Sequence, residues 1–159
     1  MKHLLLFLFV VASLSACKSS KDIHATQRQY FPESFKALYL GMPKADAMKA
    51  RPNMEFAHDS EFRVEFLEKF ENSDLTNAVY YFDDAEPHIL YEIILVYKSE
   101  EARDKVANAL LGTPNSENSQ EWYFKTKEDF LMHCWTYKTK LILAGKIRGT
   151  EWEEPLEEK

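Results

Sequence analysis

The sequence predicts an α+β fold, an antiparallel sheet of about six strands with helices on one face, built as two tandem αβββ halves. Three observations predict it. Apolar residues recur at spacings of three and four in the segments 32–51 and 99–111, as in amphipathic helices. In the segments that follow, apolar and polar residues largely alternate, as in half-buried strands. Each helical segment precedes three strand-like segments, and this repeated order indicates a duplication.

The first half begins with two short helices, expected at 32–40 and 43–51. Gly41 separates them, Pro43 suits the first turn of the second helix, and Pro52 ends it. The three strands that follow are expected at 62–70, 76–82 and 89–98. The third is apolar on both faces except at Glu92, which is typical of a central strand.

The second half begins with a helix that Ser99 caps and Gly112 closes, with Pro114 just beyond. Residues 115–120 are polar and predict a loop. The last three strands are expected at 122–126, 131–138 and 141–148.

The N-terminus predicts a bacterial lipoprotein. Lys2 precedes an apolar stretch from Leu4 to Ala12 and then small residues, the layout of a secretory signal. The apolar stretch is shorter than the roughly 20 residues that a membrane-spanning helix needs. Residues 14–17 (LSAC) resemble the lipobox, and this resemblance implies cleavage after residue 16 and a diacylglycerol on Cys17.

The predicted signal peptide, 1–16, leads into a flexible polar tether at 17–30, a single α+β domain at 31–149 and an acidic disordered tail at 150–159. The lipid on Cys17 would hold the chain to a membrane. By resemblance to the Gram-negative sorting rule, the residue after it, a lysine, implies the outer membrane, facing the periplasm. The net charge is −6 and basic residues do not cluster, so nucleic acid is a poor candidate partner.

The segment from Leu40 to Met48 (LGMPKADAM) resembles the helix-opening motif of the small outer-membrane assembly lipoproteins of the SmpA, OmlA and BamE type. It is also similar to repeats of the β-lactamase-inhibitor-like fold. In those families a Gly-Met pair precedes a short helix, and a Gly-x-Pro closes it ahead of a β-meander. The resemblance implies that Met42 holds the helix to the sheet. It departs at the closing glycine, where Arg51 directly precedes Pro52, and it carries over no partner-binding residue.

Cys134 follows His133, but neighbouring strand residues point to opposite faces, so this histidine cannot serve as the base for that thiol. Once Cys17 is lipidated, Cys134 has no cysteine to pair with, and we expect it to be a small buried core residue. The histidines show neither HxH nor HExxH spacing, and the acidic turn at 83–87 lacks the regular ligand spacing of a calcium loop. The sequence indicates no catalytic residue, metal site or cofactor.

Aromatic residues are too abundant on the predicted strands for one core to hold them all. Strict alternation places Tyr91 on one face of its strand and Glu92 on the other, and Trp135 alternates with Cys134 in the same way. We therefore expect Tyr91 and Trp135 on the two sides of the sheet. Helices should cover one side, and a partner or the tail should shield the other. An aromatic on the side without helices is a candidate protein-binding residue, and cross-strand pairing that only stabilises the sheet is the alternative.

The sequence thus predicts a membrane-anchored, non-catalytic envelope domain that binds a protein, as an assembly factor or an inhibitor or immunity-type protein. Two alternatives stay open, a periplasmic enzyme whose site is assembled from scattered residues and a small-ligand carrier with an aromatic pocket. A cleft with a strongly perturbed carboxylate or histidine would favour the enzyme, and an aromatic patch without one would favour the binding domain.

Overall fold

Strands make up most of the regular structure. The computed structural model describes residues 24–117, 120–127 and 129–153. The strands are β1 Glu55–Ser60, β2 Arg63–Lys69, β3 Leu75–Asp83, β4 Leu90–Tyr97, β5 Glu121–Lys125, β6 Leu131–Tyr137 and β7 Lys140–Gly145. The helices are α1 Ala25–Arg28, α2 Lys44–Ala50 and α3 Glu100–Leu111, with a 3-10 turn at Glu33–Phe35 between α1 and α2.

All seven strands form one antiparallel sheet in the order β1-β2-β3-β4-β7-β6-β5. The meander β2-β3-β4 and the meander β5-β6-β7 meet at the centre, where β4 pairs with β7. Each meander follows a helix of its own, so the predicted α+β class and the tandem arrangement are confirmed. β4 is central and almost wholly buried, as its apolar pattern predicts.

The edge strand β1 is absent from the sequence prediction of about six strands. All of its residues except Ser60 are exposed, so the segment has no buried face to produce an alternating pattern. β1 extends the first half beyond the αβββ unit, and the second half has no counterpart of it among the described residues.

One face of the sheet, here called the helix face, forms the core with the helices. Its strand residues include Phe66, Tyr80, Ile93, Leu143 and Cys134, which lie side by side across neighbouring strands. The residues that cover them are Phe31, Phe35, Leu38, Leu40, Met42, Ala47, Ala107 and Leu111. Burial of this apolar surface is the main source of the domain's stability.

Two of the predicted helices form where the capping signals place them. Ser99 accepts a hydrogen bond from the Ala102 amide at the start of α3, and Gly112 (φ +70°) ends it. The prediction of a helix at 32–40 is wrong, because only a 3-10 turn forms there. Its apolar residues are buried all the same, so the spacing of three and four identified the core residues but not the backbone conformation.

Residues 24–30, which the sequence assigned to the tether, are folded into the domain. Gln27 in α1 is buried, and its side-chain amide bonds both the backbone N–H (3.0 Å) and the carbonyl (3.3 Å) of Leu40. His24 stacks on Tyr39 with ring centroids 3.6 Å apart. The signal peptide, Cys17 and the tether up to residue 23 lie outside the described residues. Of the helices in the described part of the chain, none has both the length and the hydropathy that crossing a membrane requires.

Candidate binding face

The opposite side of the sheet, here called the tail face, carries aromatic and ionisable side chains. They alternate along each strand with the residues of the helix face. These side chains include Arg63, Glu65, Tyr81, Tyr91, Glu92, Glu121, Tyr123, His133, Trp135 and Tyr137. Within the described residues, the segment 150–153 after β7 lies on this face and contacts its centre.

Tyr91 and Trp135 both lie on the tail face, which corrects the expectation that they mark opposite sides of the sheet. The register between β3 and β4 shifts at Tyr81, so that Tyr91 and Glu92 together oppose this one residue. Such a bulge turns Tyr91 onto the same side as Glu92. The Tyr81 and Tyr91 ring centroids are accordingly 6.2 Å apart. Strict alternation cannot reveal a bulge, and this is why the sequence placed Tyr91 and Glu92 on opposite faces of the sheet.

Two residues of the tail face, Arg63 on β2 and Tyr91 on β4, bind the carboxylate of Glu151. Arg63 Nη1 donates to one oxygen at 2.8 Å, and the Tyr91 hydroxyl donates to the other at 3.0 Å. Arg63 is itself oriented by Glu65, which accepts from Nε at 2.7 Å, and by the Tyr81 ring, 4.0 Å from the guanidinium. Burial and the nearby Glu151 carboxylate raise the pKa of the Tyr91 hydroxyl, so it remains a hydrogen-bond donor.

Trp152, the residue after Glu151, also packs on the tail face. Its indole Nε1 donates to the Glu92 carboxylate at 2.6 Å, and its ring meets Trp135 edge-on at 5.2 Å between centroids. Glu92 is 3% exposed, and this burial raises its pKa to about 7, against the opposing effect of the indole hydrogen bond. The Glu151 carboxylate also raises this pKa, while Arg63 lowers it.

A row of rings in contact continues from Trp135 toward the β5 edge. His133 lies 4.7 Å from Trp135 and stacks on Tyr123 at 4.3 Å, and its Nε2 is 3.5 Å from a carboxylate oxygen of Glu121. Glu121, Tyr123, His133 and Trp152 line a cleft of about 230 Å³. Tyr123 is 45% exposed, so the row ends in an accessible aromatic ring.

Both edges of the sheet are protected against the addition of another strand. At β5, the Asn115 side chain accepts from the Tyr123 N–H and donates to its carbonyl, both at 2.8 Å, in place of a neighbouring strand. At β1, the register shifts between Phe56 and His58. A bulge of this kind disfavours edge pairing. The face is therefore a better candidate for binding than either edge.

The structure confirms Cys134 as a core residue. Its side chain is fully buried on the helix face, where burial raises the pKa of the thiol and suppresses the reactive thiolate. His133 points to the tail face. No group of three or more histidine, cysteine or acidic side chains suited to a metal ion occurs among the described residues.

No protein-family model and no curated protein sequence matches the chain. Among solved structures, the chain is similar to the crystal structure of a DUF4309 family protein (YjgB) from Bacillus subtilis, with 14% sequence identity and a TM-score of 0.45. The similarity covers 77% of this chain and 94% of that chain. No residue role or activity is carried over from that protein.

Sequence reasoning missed Arg63, Glu151 and Trp152. It assigned the last two to an unstructured acidic tail, whereas both contact the sheet, and residues 154–159 lie outside the described residues. One signal was present in the sequence, since Trp152 is a large aromatic residue within an otherwise acidic segment. Such a residue gains from burial against a surface nearby.

Proposed function

We propose that this protein is a lipid-anchored domain of the bacterial envelope that binds another protein through the tail face of its sheet. The observation that carries the proposal is the one-sided packing of the helices. It leaves an aromatic face whose centre is covered, in the described part of the chain, by the short segment 150–153. Aromatic residues on a face without helices are typical of protein-binding surfaces.

Tyr123 and Tyr137 are the aromatic residues through which a partner can reach this face. They are 45% and 56% exposed, whereas Tyr91 is fully buried beneath the tail segment. Tyr91 therefore stays a candidate binding residue only for a partner that displaces Glu151. Trp135 is half-buried and contacts the His133 and Trp152 rings.

The test is purification of the lipidated protein from native membranes with its partner. We expect one stoichiometric partner with wild type, and Tyr123→Ala should weaken its binding by about 2 kcal/mol, the loss typical of a central aromatic contact. Phe56→Ala is the matched control, because Phe56 is 63% exposed on β1 and pairs with Phe66 of the helix face. Equal retention of the partner by both variants, with unchanged melting temperatures, would contradict the proposal.

Glu92 supports catalysis as a second candidate function, because a carboxyl with a pKa of about 7 beside a cleft suits an acid or base. Two observations favour binding over catalysis. The Glu92 carboxylate already accepts the Trp152 indole N–H and is almost inaccessible, and the cleft of about 230 Å³ is smaller than typical small-molecule sites of about 300–1,000 Å³. A small molecule retained in stoichiometric amount by the purified protein, detected by mass spectrometry, would favour the carrier alternative instead.

A further inference from the structure

The segment after β7 reaches the tail face through a turn with its own hydrogen bonds. Gly149 (φ +85°) reverses the chain, and its N–H donates to the Glu153 carboxylate at 2.6 Å. The Thr150 N–H donates to the Ile147 carbonyl at 3.2 Å. The turn presents residues 151 and 152 to the sheet as a two-residue motif, an acidic side chain followed by an indole.

The sheet offers one subsite to each of these two side chains. The acid subsite consists of Arg63 on β2 and Tyr91 on β4, which together donate to both carboxylate oxygens. The indole subsite consists of Glu92 on β4, which accepts the indole N–H, and Trp135 on β6, which contacts the ring. Four side chains from three strands thus converge on two neighbouring residues of the segment after β7.

The chemistry of the subsites defines what they accept. Arg63 is a cation held in place by Glu65 and stacked on Tyr81, so it favours a carboxylate over a neutral side chain. Glu92 is 3% exposed and accepts the Trp152 indole N–H, so a phenylalanine in place of the indole would remove this hydrogen bond from a buried acceptor.

We propose that the tail face recognises a short segment of a partner protein in which an acidic residue directly precedes a tryptophan, and that Glu151–Trp152 is the chain's own copy of this motif. This inference rests on the proposed function and names the chemistry of its partner. In the free protein the tail occupies the subsites. A partner must displace the tail. The tail competes at an effective concentration in the millimolar range, because a short covalent connection holds it near the subsites.

The experiment uses the full-length chain in detergent and a labelled synthetic peptide that spans residues 148–155 (RGTEWEEP). The double variant Glu151→Gln, Trp152→Ala vacates the subsites in cis, and we expect it to bind the peptide at least about tenfold more tightly than wild type does. A peptide with Trp152→Phe should bind the double variant about tenfold more weakly. Adding Arg63→Gln to that variant should weaken the original peptide but not a peptide carrying Glu151→Gln.

Failure of the double variant to fold is covered by a second measurement on the wild-type chain with 5-fluorotryptophan. Excess peptide should then move the Trp152 fluorine resonance to the position of a solvent-exposed indole. The inference is overturned if a folded double variant binds no peptide, if Trp152→Phe makes no difference, or if excess peptide leaves the resonance in place. A partner that co-purifies through Tyr123 but is not released by the peptide would overturn this inference and leave the proposed function standing.

Discussion

At the scale of single residues, the tail face is organised by charges of both signs that lie close together, of which Glu92 is the buried one. Arg63 is the cation of the network, and it lies among Glu65, Glu151 and the almost inaccessible Glu92. Burial disfavours the charged form of Glu92 more than Arg63 and Lys140 favour it, which is why its pKa rises. A raised carboxyl pKa makes the stability of the fold depend on pH in a direction opposite to that of an ordinary ion-paired acid.

Glu92 should weaken the fold as pH rises. The folded chain keeps the Glu92 carboxyl protonated up to a pH of about 7, above the ordinary carboxyl pKa of 4.5. The stabilisation that this proton gives the fold is complete at low pH and is lost as pH rises through 7. Glu92→Gln keeps an oxygen for the Trp152 indole and removes the buried charge. We expect it to exceed wild type at pH 8 by up to about 3 kcal/mol in free energy of unfolding and to match it at pH 4.

The measurement is urea unfolding of both proteins across this pH range. The difference between them cancels the effect of the other carboxyl groups. A difference that does not change between pH 4 and pH 8 would show that Glu92 titrates as it does in the unfolded chain.

At the scale of elements, a buried ion pair joins α2 to the sheet. Arg51, the residue at the C-terminal end of α2, donates through Nε and Nη2 to Glu68 on β2 at 2.9 and 2.7 Å. The Tyr80 hydroxyl on β3 donates to the same carboxylate oxygen at 2.6 Å, and Arg51 Nη1 reaches the Ser34 carbonyl at 2.8 Å. This one side chain therefore connects the helix, the preceding 3-10 turn and two strands.

Glu68→Ala should cost about 3–5 kcal/mol in free energy of unfolding, because it leaves the Arg51 charge and the Tyr80 hydroxyl buried without their acceptor. Asp46→Ala is the matched control. It removes the exposed ion pair with Lys49 on α2, and such pairs contribute about 0.5 kcal/mol or less. Denaturant unfolding of both variants compares the two losses, and similar values would mean that the buried pair does not hold α2 to the sheet.

The sequence predicted most elements of the fold because their signals are local. Ser99 and Gly112 mark the ends of α3, and the apolar run of β4 marks the centre of the sheet. It missed β1, which has no buried face, and it misplaced Tyr91, because a bulge is set by pairing between strands rather than by either strand alone. In the sequence, Arg51 was notable only because it directly precedes Pro52 at a helix end that lacks the closing glycine of the similar lipoproteins. Its partner Glu68 is 17 residues away, so the ion pair leaves no local signal.

The candidate site was harder to predict than the fold because it is assembled from distant residues. The contact between Glu151 and Tyr91 spans 60 positions, and that between Arg63 and Glu151 spans 88. Periodicity reports the face on which a residue lies but not the segment that covers it. Alternation could therefore predict that a partner or the tail shields the face without helices. It could not predict which residues make the contacts.

At the scale of the whole molecule, the folding of residues 24–30 into the domain shortens the connection to the predicted lipid. From Cys17 to His24 a fully extended chain spans at most about 25 Å. The domain would therefore stay close to the membrane surface.

Cys17→Ser should abolish this attachment. We expect the wild-type protein to incorporate labelled fatty acid and to sediment with membranes, and the variant to do neither after processing, or to remain uncleaved. Acyl chains supply roughly 0.8 kcal/mol per buried methylene, so their loss removes the predicted anchor. Membrane association of a processed variant, together with a wild type that takes up no labelled fatty acid, would rule out the lipoprotein assignment.

Site-specific photo-cross-linking in living cells tests the use of the tail face most directly. A photoreactive phenylalanine analogue replaces Tyr123 or Tyr137 on the tail face, or Phe56 at the helix-face edge, all three exposed aromatic positions that tolerate a ring. We expect one discrete adduct of constant mass from Tyr123 and Tyr137 and none from Phe56. An adduct from Phe56, with none from the two tail-face positions, would contradict it.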